Sequence, residues 1–182
     1  FFIKSTSLTS LISKINGNGY VYGKINKGTY VPDKYSYSYT RKNKNKLYNL
    51  FFTDNNITNV YVEPDYDKYK LTEVLDSMLF NIIDPATMFI NLDKLKNNKC
   101  ESSISVYDGK RRYDMLITFF EKQIDYLVCK AEQIKIGGFK KKELDLINQP
   151  QVIFLKYKKF EDKYILDSIE GKNNLTTIII EK

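Results

Sequence analysis

Apolar and polar residues alternate through most of this chain, and the alternation predicts strands. Residues 1–5 read as the end of a strand, and Ser7, Leu8, Thr9, Ser10, Leu11 and Ile12 then read as a capped turn or short helix. A period of two runs through residues 20–25, then 35–39 after Pro32, then 47–53 and 56–62, with turns at Asn26-Lys27-Gly28 and Asp54-Asn55. That order describes an antiparallel meander in which neighbours along the chain pair.

The period changes after Pro64. Leu71, Val74, Leu75, Met78, Leu79 and Ile82 fall at helical spacing and predict an amphipathic helix. Asp84 is placed to cap a second helix with Pro85 in its first position, running to about Leu95, and Ala86, Phe89 and Ile90 give it a short packing stripe. Strands resume at 103–107, 111–120, 127–136, 151–157, 164–169 and 175–180, with Gly137-Gly138 breaking the third of these. The expected fold is α+β and mostly β: a large curved antiparallel sheet, an open barrel or half-barrel, with one or two short helices between two strand blocks. Residues 1–182 form one domain of a size that sustains a single core. The opening Phe1-Phe2-Ile3-Lys4 has no signal-peptide pattern, and a strand entering without a partner before it suggests missing sequence.

Charge alters this picture little. The net charge is +7, but the excess is nearly all Lys, with Arg only at 41, 111 and 112, alongside many Asn and Ile. An AT-rich coding sequence explains that bias without a nucleic-acid partner. The cluster Arg41-Lys42-Asn43-Lys44-Asn45-Lys46 reads as a solvated loop, as does Lys140-Lys141-Lys142. No apolar run reaches the roughly 20 residues of a membrane-spanning helix.

Candidate chemistry is sparse. The chain has no His, which removes Ser-His-Asp and Cys-His catalysis and the commonest metal ligand. Cys100 and Cys129 fit no zinc spacing, and no metal or cofactor site is expected. They flank the run Tyr107-Asp108-Gly109-Lys110-Arg111-Arg112-Tyr113-Asp114, where Asp-Gly between alternating segments is a strong hairpin signal. A disulfide closing this segment is one reading of the cysteines, and two buried thiols are the other. On the returning strand Tyr113, Met115, Ile117 and Phe119 share one face, and Arg112, Asp114, Leu116 and Thr118 the other. Arg112 and Asp114 are thus able to pair, a contact worth about 0 to 1 kcal/mol on an exposed strand.

The segment from Val106 to Met115 resembles the signature of the domain of unknown function 3108 family, exported proteins of Gram-negative bacteria. Asp84-Pro85, Cys100, Cys129 and Ile136-Gly137-Gly138-Phe139 occur in the family's order, and Pro32-Asp33-Lys34-Tyr35 resembles its strand entry. Lys110 departs from the family's basic triplet, which keeps the charge and loses guanidinium geometry. The resemblance implies a periplasmic protein, made with a signal peptide and one or more opening strands that precede residues 1–182, with a disulfide between Cys100 and Cys129, and it implies no activity.

Three functions follow. A non-enzymatic carrier would hold a lipid-like ligand on a concave apolar face, with Met78, Met88 and Met115 available to line it. A structural or interaction module of the envelope would use the hairpin for folding or docking, its basic tip meeting acidic headgroups or an acidic protein. An enzyme would need Asp108 and Asp114 as a carboxylate pair, against which stand the basic residues beside each. The expectation is no catalysis, a lipid or an envelope protein as partner, and an oligomeric state the residues leave open.

Overall fold

The computed structural model describes residues 2–5, 16–41, 44–66, 70–93, 95–144, 152–172 and 177–181. The turn or helix expected over 7–12 and part of the basic cluster, Lys42 and Asn43, lie outside them. Among the described residues the elements run β1 (Phe2–Ser5), β2 (Asn16–Asn26), β3 (Thr29–Arg41), β4 (Lys44–Thr53), β5 (Asn56–Glu63), α1 (Pro85–Asn91), β6 (Ser102–Tyr107), β7 (Arg112–Lys122), β8 (Tyr126–Gly137), α2 (Lys141–Leu144), β9 (Val152–Phe160), β10 (Lys163–Lys172) and β11 (Thr177–Glu181). The α+β, mostly β class is as the alternation predicts.

The strands divide between two antiparallel sheets, one of them curled into a half-barrel. The meander forms a four-stranded sheet in the order β2-β3-β4-β5, and the remainder forms a seven-stranded sheet in the order β1-β11-β10-β9-β8-β7-β6. β1 leaves the first block to pair with β11, Ile3 opposite Ile180, so its partner is the last strand of the chain.

Alternation sorts the seven-stranded sheet into an inner and an outer face. Tyr113, Met115 and Ile117 of β7 point inward with Cys129 and Ala131 of β8 and Leu155 and Tyr157 of β9, the last four fully buried. Phe119 shares their side of the strand but is mostly exposed, at the end of the regular register just before the bulge at Phe120. Across this face lies α1, whose Met88 and Leu92 complete the core, and the Tyr157 hydroxyl donates to the Leu92 carbonyl at 3.0 Å. The disulfide joins Cys100, just before β6, to Cys129 in mid-β8 with Cα atoms 5.4 Å apart, and both cysteines are buried.

Asp84 caps α1. Its Oδ1 accepts from the backbone N–H groups of Ala86 and Thr87 at 2.9 Å, and its Oδ2 accepts from the Thr87 hydroxyl at 2.5 Å. The helix stops at Asn91, short of the expected Leu95, because the following backbone is recruited by β10: the Leu166 N–H donates to the Asp93 carbonyl, and the Leu95 N–H to the Tyr164 carbonyl.

The first predicted helix is overturned. Between 71 and 82 the described helical content is one tight turn, Asp76–Leu79. The Thr72 N–H donates to the Phe139 carbonyl at 2.7 Å, and the Thr72 carbonyl accepts from the Gly138 N–H at 2.9 Å. A helix over this stretch would have spent the Thr72 carbonyl on an internal bond. The helical spacing arose because the segment supplies side chains to the second core cluster, where Ile82 is buried beside Tyr35, Leu50, Phe52 and Tyr107, with Val74 and Leu79 packed against them.

Candidate functional site

The signature hairpin forms, and its tip is buried. Tyr107 pairs with Arg112, leaving the four-residue loop Asp108-Gly109-Lys110-Arg111. The loop folds onto one carboxylate: Asp108 accepts from the backbone N–H of Lys110 at 2.9 Å and of Arg111 at 2.6 Å. This is the local bonding that suits Asp to turns.

Two glycines seat the loop between the sheets. Gly109 has φ +93°, and a Cβ there would stand 2.8 Å from Cδ1 of Tyr48 on β4. Gly138, with φ +78°, lies so close to the loop that a Cβ would fall 1.8 Å from the Lys110 carbonyl oxygen. The hairpin tip is therefore wedged between the four-stranded sheet and the end of β8.

This placement engages the basic side chains of the tip partly within the chain itself. Lys110 and Arg111 are half-buried. Arg111 stands 3.8 Å from the Glu143 carboxylate with its guanidinium over the Phe139 ring, and the Lys110 amino group lies 5.9 Å from the Tyr66 ring centre. Burial, and then the charge of Arg111, hold Lys110 below the ordinary lysine value.

The Arg112 and Asp114 pair is present, but it is not the exposed contact expected. Arg112 is 9% exposed. Its Nη1 meets Asp114 Oδ1 at 2.7 Å, its Nη2 donates to the Ser105 hydroxyl at 2.9 Å, and its Nε donates to the Met78 carbonyl at 3.1 Å. The Ser105 hydroxyl donates to Asp114 Oδ1 at 2.8 Å, closing the network. Arg112 thereby ties the 76–79 turn to β6 and β7.

The carboxylate pair proposed for catalysis does not assemble: Asp108 is folded onto its own turn, and Asp114 is bound to Arg112 on the other side of the hairpin. The carboxylate that shares Asp108's surroundings is Asp84. Tyr35 and Tyr113 each feel both. Burial pushes Asp84 and Asp108 above the ordinary carboxylate value, opposed by their hydrogen bonds, and burial likewise lifts Tyr35, Tyr48, Tyr107 and Tyr113 beyond the ordinary tyrosine range. Phenols held this way are neutral hydrogen-bonding groups, not nucleophiles. Sequence reading did not bring Asp84 and Asp108 to the same tyrosines because each carries a complete local explanation, a helix cap and a turn. Among the described residues no group of three potential metal ligands converges.

A cleft of about 790 Å³ opens next to this joint, between β5 and the 71–76 segment, with Tyr107 and Gly138 in its wall. A second of about 480 Å³ lies on the four-stranded sheet between Asn18, Ser38, Leu47 and Glu63.

These features define a two-sheet α+β scaffold whose signature residues form the joint between the sheets. The chain matches the family model described as protein of unknown function (DUF3108) over residues 2–125, and it belongs to that family. The match takes in the four-stranded sheet, α1 and the signature hairpin, while Cys129 and the Gly137-Gly138 contact lie beyond it. Comparisons with curated proteins and with solved structures give no match. No helix among the described residues is long and apolar enough to cross a membrane.

Proposed function

We propose that this chain is a non-enzymatic interaction module of the periplasmic cell envelope. The observation that carries the reading is the filled inner face of the seven-stranded sheet. A lipid carrier needs that face open, yet Cys129, Ala131, Leu155 and Tyr157 are fully buried there beneath α1. The methionines suggested for an adaptable pocket do not gather: Met88 and Met115 are in the core, and Met78 is half-buried on the tight turn held by Arg112. Export is supported by the buried disulfide, since such bonds persist in oxidising compartments. The absence of catalysis is supported by the signature's use of both its carboxylates in structural hydrogen bonds.

Mass spectrometry of an organic extract tests this reading on protein purified from periplasm without detergent. A clean extract is expected. A stoichiometric lipid, absent from a control protein purified alongside, overturns the module and restores the carrier.

A further inference from the structure

From the cleft beside β5 we infer that this protein binds an extended, lysine- or arginine-bearing segment of a partner protein by adding it as a strand to the edge of the four-stranded sheet. The inference rests on the reading as an interaction module and names the chemistry of the partner.

β5 is an edge strand, bonded to β4 on one side only. Its opening is covered, because the Ile82 N–H donates to the Asn55 carbonyl and the Asn81 N–H to the Asn56 side chain. Past the bulge near Thr58, however, Val60, Tyr61 and Val62 line the cleft. An edge of this kind offers backbone donors and acceptors at strand spacing, and proteins commonly blunt it with Lys, Pro or irregular geometry. The opposite edge, β2, is blunted by Gly17, Gly19 and Gly23, a bulge at Gly23, and Lys24. β5 carries neither Lys nor Pro and is rich in β-branched residues. The facing wall is the chain around Thr72, itself held by backbone bonds to Gly138 and Phe139, so the slot is bounded by backbone on two sides.

The lining contributes two further kinds of recognition. Val60, Val62, Val74 and Leu79 are half-buried and give alternate apolar side chains a place to rest. Among the described residues the ionisable side chains that carry charge in the lining are Asp65, Glu73 and Asp76, all exposed and all carboxylates. Lys46 and Lys110 adjoin the Asp65 and Tyr66 end, so the carboxylates of Glu73 and Asp76 make the other end of the cleft complementary to a cationic strand.

Fluorescence anisotropy with labelled hexapeptides tests the inference on the intact, disulfide-bonded protein. The probe alternates lysine and valine; one control replaces lysine by glutamate, and another carries N-methyl groups on alternate backbone nitrogens. The lysine-valine peptide is expected to bind with salt-sensitive affinity, the glutamate peptide more weakly, and the N-methylated peptide not at all. The variant D65N/E73Q/D76N, whose substitutions are all on the surface, should keep the wild-type melting curve and weaken the lysine-valine peptide about tenfold, as three exposed ion pairs would. Equal binding of the lysine and glutamate peptides, or indifference to N-methylation or to the triple variant, overturns the inference. A protein dimer dispersed by the lysine-valine peptide would assign the edge to a second copy and also overturn it. Each of these failures leaves the interaction-module reading standing, because that reading falls on the lipid extract and not on this cleft.

Discussion

The inner face of the seven-stranded sheet and the joint between the two sheets are built by the same hairpin under opposite rules. On the inner face, Met115 and Ile117 meet Cys129, Ala131 and Leu155 in an apolar cluster organised by strand alternation. At the joint, Gly109, the Lys110 carbonyl and Arg112 of that hairpin, on a loop closed by Asp108, meet Tyr48, Gly138 and the Met78 carbonyl through positions where one residue type fits. An apolar core tolerates exchange of side chains of similar volume. A joint made of a positive φ, a backbone contact and a forked guanidinium does not. The recognisable signature of this chain therefore marks where its geometry has least freedom.

That contrast sets the order of expected damage. Gly138→Ala should be the most harmful, because its Cβ would collide with the Lys110 carbonyl oxygen in a backbone conformation that L side chains disfavour. A loss of about 4 kcal/mol or more is expected in urea unfolding, a size reserved for such mechanisms. A loss under about 1 kcal/mol would show that the loop and the end of β8 part easily. The double variant C100A/C129A should cost somewhat less, about 3 to 4 kcal/mol by the chain-entropy account of a loop this long. It should leave the joint intact, so its near-ultraviolet tyrosine signal should match wild type below the transition. A changed signal in the folded baseline would mean that the staple also holds the hairpin against the four-stranded sheet.

The same contrast explains what was readable in the sequence. Strands such as β4, β7 and β8 were legible because each buries one face, which writes a period of two into the residues. Asp84-Pro85 was legible because a helix cap is local. The division into two sheets was not, since it depends on β1 pairing with β11 at the far end of the chain. The segment from Leu71 to Ile82 misled for a related reason: it touches a core at helical intervals while Thr72 gives its backbone to Gly138 and Phe139. The buried tip of the signature hairpin was equally hidden, because Tyr48 and Gly138 lie far from it in sequence. Gly137-Gly138 after a strand was the one available signal that another backbone approaches closely.

The smallest effect separates the two regions by pH. Asp108→Asn keeps a side-chain oxygen for the Lys110 and Arg111 N–H groups but cannot ionise. In the wild type, burial raises the folded-state pKa of Asp108 above the ordinary 3.8 of the unfolded chain. A group shifted upward stabilises the fold fully below the unfolded value, and that contribution is lost as pH rises through the folded one. The wild type should therefore lose stability relative to Asp108→Asn as pH rises from 3.5 to 7, and Asp84→Asn should show the same sign. A variant confined to the apolar face, Ile117→Val, should keep a constant offset from wild type over that range. Urea unfolding at several pH values measures all three differences. If the Asp108→Asn difference were flat or reversed, the hydrogen bonds closing the turn would outweigh burial at Asp108, and the electrostatic part of the contrast between joint and core would fail.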